Sequence, residues 1–477
     1  MSDPGAVLAL DIAERLRISA HGCPPDVFAR LREWAEATYI FENPAYWHAR
    51  LHRHPCKHIP RRMELARLSD TEIELPRGAN RDLKRLLAEI APGLPVQISD
   101  RRSAPPSELL NLTVELRPYQ QDAVERAVQL RDGVLVAPTG SGKTVMAMGL
   151  IARLQVRTLV LVHTRTLLSQ TCAVIERSLG VRAGRIGAGE DELGDVTVAT
   201  VQTFLRRDPE ELRDHFGLVL LDEAHHCPAT TFTEVIERFR ARHRIGLTAT
   251  PERADALHPL MYATLGPELY RVKPSEMVDL GSLCAASVLP VETTFCGGRM
   301  VDRGRMISRL CEDPQRNQDL ATAIAATRGE RSLVLSERVQ HCQELGALLR
   351  SAQVPAFVLV GAHSEQDRQK TLAAFLSTPR AVLVATGSLM GEGFDCPDLD
   401  TLYLAVPSGN TTRTTQALGR ILRPHAAKTL ARVFDFVDSQ TPGLHRTLRS
   451  RLAVYRKHQA QVLPAVGIAS LRGPPPA

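Results

Sequence analysis

One octapeptide constrains the fold of this chain more than any other segment. The sequence APTGSGKT (137–144) directly follows the apolar run GVLV (133–136). A short strand, a glycine-rich turn and a helix starting at a Lys-Thr pair form a phosphate-binding loop, whose backbone N–H groups face an anion. Lys143 is expected to reach the β- and γ-phosphates of a nucleotide, and the Thr144 hydroxyl to hold Mg²⁺. Ala137 stands where the general pattern has Gly.

A pair of carboxylates later in the sequence could complete a nucleotide-hydrolysing site with the octapeptide. Asp222 and Glu223 follow the apolar run LVLL (218–221), and open α/β sheets place ligands at the carboxyl ends of strands. Asp222 is expected to hold Mg²⁺ through water, and Glu223 to deprotonate the water that attacks the γ-phosphate. The alternatives are a glycine-rich turn without a ligand and an acidic turn that caps the next helix. The two motifs together favour the catalytic interpretation.

Short apolar runs recur between helical patterns in two sets, and this alternation predicts right-handed βαβ units with parallel sheets. Val, Leu and Ile dominate each run, as in strands that are covered on both faces. The first set is VLVAP (134–138), TLVLVHT (158–164), VTVATV (196–201), LVLLDEA (218–224) and RIGLTAT (244–250). The second set is SLVLS (332–336), AFVLVG (356–361), AVLVATG (381–387), TLYLAVP (401–407) and ARVFDFVD (431–438).

The predicted fold class is α/β, with two tandem parallel-sheet domains after a small N-terminal accessory domain. A polar, Pro-containing stretch (100–108) is typical of a linker, and the irregular segment 268–298 is interpreted as the connection between the two sheets. The expected boundaries are 1–105 for the accessory domain, 112–280 and 290–457 for the α/β domains, and 458–477 for a tail.

Composition narrows the class of protein further. The 477 residues carry a net charge of +6, which favours an anionic partner. No apolar run approaches the length of a membrane span, and the first residues lack the features of a signal peptide. Nine cysteines without CxxC pairs indicate reduced thiols in a cytoplasmic protein.

Several motifs occur in one order and resemble those of a superfamily 2 helicase or translocase: APTGSGKT, DEAH (222–225), TAT (248–250) and QALGRILR (416–423). LRPYQ (116–120) and GEGFD (391–395) resemble the XPB-like and type III restriction branch. Further upstream, NPAYW (43–47) and PRG (76–78) resemble segments of bacterial and phage helicases from mobile and conflict loci. The resemblance covers about residues 112–457.

The resemblance implies two RecA-like domains that bind ATP with Mg²⁺. The residues implied at the phosphates are Pro138, Thr139, Gly140, Ser141, Gly142, Lys143 and Thr144. Gln120 resembles the glutamine that reads adenine, and Gly393 and Asp395 resemble the segment that links nucleotide to nucleic acid. Arg420 and Arg423, three apart on an expected helix, would share one face and reach the γ-phosphate from the second domain. The charge clamp would then be complete only on domain closure.

The nucleic-acid contacts implied by the resemblance cross both α/β domains: Thr164, Arg165, Thr200, Gln202, Thr386 and Gly387. Hydroxyls, amides and cations there would hold phosphates without reading sequence; hydroxyls at strand ends are also good helix caps. In the accessory region, aromatics at 34–47 precede cations at 50–62. They suit either a surface that stacks bases or the core of a small α-rich domain.

The sequence therefore predicts an ATP-dependent DNA helicase or translocase. Single-stranded or tailed duplex DNA is the expected substrate, and the resemblance to XPB-like proteins implies movement in the 3′-to-5′ direction. Proteins of a repair or defence system are candidate partners. Two alternatives stay open: a non-unwinding, ATP-driven remodeller of nucleoprotein and an RNA-directed helicase.

Overall fold

The computed structural model describes most of the chain, which forms two compact units, one of Met1–Ala137 with Gly142–Val272 and one of Pro138–Ser141 with Lys273–Ala477. The described residues are 6–51, 55–56, 59–138, 140–208, 210–222, 229–249, 257–273, 276–277, 283–298, 302–361, 363–387, 396, 398–409, 411–425 and 428–472. No helix in these ranges is long and apolar enough to cross a membrane.

The accessory domain is a mixed α/β fold and not the α-rich domain that was one interpretation of its sequence. Its strands are β1 (Leu8–Ile12), β2 (Leu16–Ser19), β3 (Ile40–Glu42), β4 (Arg62–Glu64), β5 (Arg67–Leu68), β6 (Glu72–Leu75) and β7 (Val96–Asp100). Five of them form a sheet in the order β5-β6-β2-β1-β7, and β3 pairs with β4. The helices are α1 (Pro25–Tyr39), α2 (Pro44–Leu51) and α3 (Asn80–Ile90). Alternate residues of β1 are buried, so this sheet has one core face.

The first α/β domain has the predicted parallel sheet. Its strands are β8 (Asp132–Val136), β9 (Thr158–Val162), β10 (Gly184–Gly187), β11 (Glu190–Glu192), β12 (Val196–Thr200), β13 (Leu218–Asp222), β14 (His243–Thr248) and β15 (Glu268–Arg271). The order is β11-β10-β12-β9-β13-β14-β8-β15, and only the β10–β11 pair is antiparallel. The helices are α4 (Pro118–Leu130), α5 (Lys143–Leu154), α6 (Arg165–Leu179), α7 (Val201–Phe204), α8 (Ala229–Ile236) and α9 (His258–Leu265).

The second α/β domain repeats this plan with parallel pairs throughout. Its strands are β16 (Ala285–Glu292), β17 (Arg331–Ser336), β18 (Ala356–Leu359), β19 (Ala381–Thr386), β20 (Thr401–Leu404), β21 (Leu430–Val437), β22 (Gln461–Val462) and β23 (Val466–Gly467). The order is β18-β19-β17-β20-β21-β16-β22, and β23 also pairs with β16. The helices are α10 (Arg303–Cys311), α11 (Pro314–Thr327), α12 (Val339–Ser351), α13 (Glu365–Ser377), α14 (Thr411–Ile421) and α15 (Pro442–Lys457).

Three segments differ from the sequence-based expectation. The stretch 268–298 is not simply irregular, because it contains β15 of the first sheet and β16 of the second. Within the expected tail, β22 and β23 pair with β16, and Ile468 and Leu471 are buried in the core. The expected linker lies against the first α/β domain, where Ser103 forms a β-bridge with Ala241. β15, β22 and β23 have four residues or fewer, too few to show a period in the sequence.

A buried arginine fixes the accessory domain to the first α/β domain. Arg77 is 1% exposed, and its Nε donates to Asp132 Oδ2 at 3.2 Å, with a second hydrogen bond from Nη2 to Asp132 Oδ1. Its Nη1 donates to the Ala241 carbonyl oxygen at 2.6 Å, and its Nη2 donates to that of Arg242 at 3.1 Å. A Cβ at Gly78 would overlap the carbonyl oxygen of Tyr262. We call this set of contacts the Arg77 clamp.

Three histidines are buried in positions that disfavour their charged form. Burial lowers the pKa of His341 to about 3, and the pKa values of His243 and His458 to about 4. The His341 ring is held between Ser336 Oγ at 2.8 Å from Nδ1 and Asn317 Oδ1 at 3.0 Å from Nε2. Neither ring nitrogen of His458 has a hydrogen-bond partner among the described residues.

We expect these histidines to make the protein sensitive to mild acid. Their pKa is lower in the folded state, so the unfolded chain binds protons first, and stability is lost as pH falls from about 6.5 towards 4. Each should cost on the order of 2 kcal/mol at pH 5 relative to pH 7.5. Urea unfolding followed by circular dichroism at both pH values measures this loss. His458→Leu should reduce it by about one histidine's share, whereas His445→Leu, at an exposed position, should not. Equal acid sensitivity in all three proteins would contradict the assignment.

Candidate nucleotide and nucleic-acid sites

The phosphate loop is tied to the sheet at its start. The Ala137 N–H donates to the Thr248 carbonyl oxygen at 2.9 Å, so the loop leaves β8 beside the end of β14. Gly142 is left-handed, with φ of 77°, and a Cβ on it would overlap Gln120 Nε2. The left-handed backbone favours glycine at this position, and any larger residue would also have to displace the Gln120 side chain. Helix α5 begins at the next residue, Lys143.

The side chains expected to contact nucleotide surround this loop. Lys143 is 8% exposed, and its Nζ donates to the Ala137 carbonyl oxygen at 3.5 Å, across the loop. Thr144 is the second residue of α5 and is half-buried. Gln120 is buried, and its Oε1 accepts from the Arg117 N–H at 2.9 Å. The first turn of α4 thus holds the glutamine side chain beside Gly142.

Asp222 ends β13 at the same edge of the sheet. It is in register with Leu247 of β14, which is in turn in register with Leu135 of β8. Because these strands are parallel, their carboxyl ends bring Asp222 and the phosphate loop to one edge. A carboxylate and the Thr144 hydroxyl are hard oxygen donors of the kind that Mg²⁺ prefers. The left-handed glycine cradle and this donor pair fit a magnesium–nucleotide complex.

Four of the predicted site residues lie outside the described ranges, namely Thr139, Glu223, Gly393 and Asp395, as does Thr250 of the TAT motif.

The two arginines of the second domain occupy the end of α14. Arg420 is in its last turn, and Arg423 follows two residues after the helix ends at Ile421; both are half-buried. The prediction that one helix contains both residues is therefore wrong. The helix ends between them, and a lysine side chain binds the carbonyl oxygen of its last residue. This side chain is that of Lys428, whose Nζ donates to the carbonyl oxygens of Ile421 at 2.8 Å and Leu399 at 3.0 Å. Burial lowers the pKa of this lysine. Nothing in the local sequence distinguishes Lys428.

A cavity of about 460 Å³ brings together three of the predicted nucleic-acid residues, Arg165, Thr200 and Gln202. It lies at the carboxyl ends of β9 and β12, and we call it the strand-end cavity. Thr203, in the segment 200–203 that the resemblance assigns to the same track, also lines it, whereas sequence analysis missed the other lining residues, His163, Ala188, Arg206 and Arg207. The two arginines follow α7 after one intervening residue, and this basic pair is the signal in the sequence that could have found them.

Some polar side chains in and beside the strand-end cavity already have hydrogen-bond or ion-pair partners in the protein, and others do not. Thr164 caps α6 by accepting from the Leu167 N–H at 3.2 Å, so the capping interpretation holds for this hydroxyl. Thr200 and Thr203 share a hydroxyl–hydroxyl hydrogen bond of 2.7 Å, and Arg207 pairs with Asp191. Arg165 and Arg206 are exposed, and their side chains make no ion pair or hydrogen bond within the described residues. These two cations are available to an anionic ligand.

The other two predicted contacts belong to the second domain. Thr386 is the last residue of β19 and is 7% exposed, and Gly387 follows it. Both lie at the carboxyl edge of their sheet.

One tryptophan of the accessory domain is on the surface. Trp47 is 42% exposed, and the guanidinium carbons of Arg61 and Arg50 lie 5.4 and 5.8 Å from its ring centroid. Its indole N–H donates to Glu42 at 2.8 Å. Asn43 braces this arrangement, because its Nδ2 donates to the Pro60 carbonyl oxygen at 2.8 Å. Tyr39, in contrast, is buried in the core. Trp47 therefore fits the prediction of a surface that could stack bases, whereas Tyr39 fits the prediction of a core residue.

Comparisons with known proteins agree on one class. Residues 113–253 match the family described as type III restriction enzyme, res subunit, and residues 315–425 match the helicase conserved C-terminal domain. The chain is 27% identical to DNA 3′-5′ translocase XPB2 of Sulfurisphaera tokodaii, over 67% of this chain and 81% of the relative. It is 26% identical to the "Probable helicase D10" of Escherichia phage T5, over 77% and 81% of the two chains.

The solved structures agree on the fold. A fragment assigned as an HsdR subunit of a type I restriction enzyme from Vibrio vulnificus YJ016 superposes with a TM-score of 0.58 at 20% identity, covering 75% of this chain and 69% of the fragment.

Proposed function

The chain belongs to superfamily 2, in the branch of the XPB-like proteins and the type III restriction subunits, and from this premise we propose that it is an ATP-dependent DNA helicase or translocase. The observation that carries the proposal is the carboxyl edge of the first RecA-like sheet. There the phosphate loop, Lys143 and Thr144 lie at the same edge as Asp222. A second RecA-like domain carries Arg420 and Arg423.

In this proposal each residue has a separate task. Lys143 neutralises charge on the β- and γ-phosphates, and Glu223 deprotonates the attacking water. Arg420 and Arg423 stabilise charge that develops as the γ-phosphate leaves. Thr144 and Asp222 would hold Mg²⁺, which supplies neutralisation of the phosphate oxygens. The Gln120 amide offers a donor and an acceptor to the adenine edge.

DNA is the proposed track because two relatives of this chain, the translocase XPB2 of Sulfurisphaera tokodaii and a Rad25 protein of Halobacterium salinarum, are named as DNA 3′-5′ proteins. ATP turnover measured with single-stranded DNA, tailed duplex DNA and RNA tests this. We expect DNA to stimulate turnover, and displacement of a labelled strand then separates a helicase from a translocase. Stimulation by RNA alone would favour an RNA-directed enzyme. ATP turnover that no nucleic acid stimulates would favour a non-unwinding, ATP-driven remodeller of nucleoprotein.

We expect the strand-end cavity to hold the DNA backbone through Arg165 and Arg206. Replacing both with serine should weaken binding to all DNA sequences alike. It should also reduce the slope of log K against log salt by about 1 to 2, because each phosphate contact releases condensed counterions. The matched control is Arg126→Ser with Arg153→Ser, two exposed arginines outside the cavity. An unchanged salt slope in the cavity variant would argue against this track.

We propose a second DNA contact at Trp47 on the accessory domain. An exposed aromatic ring with two guanidinium groups beside it suits a single strand, whose bases stack and whose phosphates need cations. Trp47→Ala should weaken single-stranded DNA binding roughly fivefold or more, since stacking contributes on the order of 1 kcal/mol or more. Leu51→Ala, on the same helix and 79% exposed, is the control. Equal affinities would assign Trp47 to another role.

We also propose a cytoplasmic location and partner proteins from a DNA repair or defence system. The location fits the eight described cysteines, which are all free thiols.

A further inference from the structure

A second cavity, of about 450 Å³, lies where the accessory domain packs on the first RecA-like domain. Helix α3, the last residues of α4 and the turn before β15 form its walls, and β7 contributes Ile98. This junction cavity is separate from the phosphate loop and the strand-end cavity, with which it shares no lining residue. Its volume is within the usual range for small-molecule sites.

The lining of the junction cavity is strongly basic. Five cationic side chains line it, and only two carboxylates, Asp100 and Asp132, accompany them. Both carboxylates are already paired. Arg77 holds Asp132, and Arg102 donates to Asp100 at 2.7 Å, a hydrogen bond that lowers the pKa of Asp100 to about 2. With Arg77 and Arg102 paired to these two acids, three cations of the lining have no carboxylate partner among the lining residues.

These three cations are Arg81, Lys84 and Arg131. Arg81 and Lys84 are three residues apart on α3, so they share one face of the helix. Arg131 is the C-cap residue that follows α4, with a positive φ of 70°, a backbone conformation that glycine adopts readily and that strains other residues by about 1 kcal/mol. All three are exposed, and within the described residues none of their side chains makes a hydrogen bond or ion pair.

The rest of the lining suits an organic group next to the charge. Ile12, Leu130 and Leu269 give the cavity an apolar wall, and Asn80 lies beside the cations. The Asn80 Oδ1 is buried and has no hydrogen-bond partner in the described part of the chain. A buried polar group without a partner is costly, so a ligand that satisfies it gains affinity.

We propose that the junction cavity is a binding site for a ligand with two or more phosphate groups, which Arg81, Lys84 and Arg131 hold. The three uncompensated positive charges match the charge of a diphosphate or triphosphate. The apolar wall and the Asn80 amide would contact the remainder of the ligand. Such phosphate groups could belong to a free nucleotide or to the backbone of a nucleic acid. Binding measurements distinguish these two ligands.

The experiment uses full-length Lys143→Ala protein, so that the phosphate loop does not contribute to binding. Calorimetric titrations with inorganic tripolyphosphate, GTP and a 20-base-pair DNA duplex give three affinities at one salt concentration. The test variant adds Arg81→Ser, Lys84→Ser and Arg131→Ser. The control adds Arg30→Ser, Arg126→Ser and Arg153→Ser instead, an equal loss of charge at exposed positions outside the cavity.

We expect tripolyphosphate or GTP to bind the parent and to bind the test variant at least tenfold more weakly, since charged hydrogen bonds are lost. The control should stay within about twofold of the parent, as its arginines do not line the cavity. A loss confined to the DNA duplex assigns the site to a nucleic-acid backbone. Unchanged affinities for all three ligands, or no binding by the parent, overturn the proposal. ATP turnover does not enter this test, so failure of the motor function would not be confused with it.

Discussion

Glu223→Gln is expected to abolish ATP turnover and to leave ATP binding intact. The amide keeps the size of the side chain and loses the basic oxygen that deprotonates water. We expect a loss of at least 10²- to 10³-fold in DNA-stimulated turnover, the scale seen when a positioned catalytic group is removed. Binding of a fluorescent ATP analogue should change by less than about threefold, because Mg²⁺ would still be held by Thr144 and Asp222.

Lys143→Ala is the matched comparison for this variant. Lysine contacts the phosphates in the ground state as well as during transfer, so its loss should weaken ATP binding and turnover together. The two variants should thus separate binding from chemistry. Normal turnover in Glu223→Gln would remove Glu223 from the catalytic role, whatever Lys143→Ala does.

Arg77→Ala is expected to have the largest effect on stability. The change removes the Arg77 clamp, so that among the described residues Asp132 keeps only the Arg244 N–H at 3.1 Å and the Arg102 guanidinium at 3.7 Å. The carbonyl oxygens of Ala241 and Arg242 lose the hydrogen bonds that Arg77 donates. Breaking a buried pair in this way costs about 3–5 kcal/mol. Urea unfolding of the protein measures the cost, and proteolysis within the segment 100–108 should become faster as the accessory domain separates.

Two further variants make this result specific. Arg85→Ala removes an arginine that is 81% exposed and pairs with Asp82 on the surface, so it should cost less than about 1 kcal/mol. Arg77→Lys should recover only part of the stability, because an ammonium group cannot supply the planar fork that spans these acceptors. A cost below about 1 kcal/mol for Arg77→Ala would mean that the clamp is not what holds the domain.

The parallel strands were predictable because their signal is local. Runs such as TLVLV (158–162) are buried on both faces, and burial on both faces selects consecutive Val and Leu. β11 consists of Glu190, Asp191 and Glu192, all exposed, and resembles a loop. β22 and β23 have two residues each. Such strands depend on a neighbour, β10 or β16, that only the tertiary structure supplies.

The functional sites also differ in whether their signal is local in the sequence or depends on the tertiary structure. The phosphate loop, Asp222 and the Arg165–Thr200–Gln202 group could be found from motifs, since each sits at a strand end whose order the sequence reveals. The Arg77 clamp could not be predicted, although Arg77 belongs to the PRG motif, because its acceptors lie at positions 132, 241 and 242, far along the chain. Lys428 and the junction cavity likewise depend on distant elements meeting. Contacts of this kind leave no period or spacing in the sequence.

The position of β16 in its sheet has a consequence for biosynthesis. This strand is the first of the second domain to leave the ribosome, yet it pairs with β21, β22 and β23, the last three. During translation the apolar residues of β16, such as Val288 and Val291, have no partner strand until β17 to β20 have been synthesised and β21 follows. Non-local parallel pairing is slow, and such intermediates are prone to aggregate. We therefore expect the nascent chain to depend on chaperones until residues 461–467 have emerged.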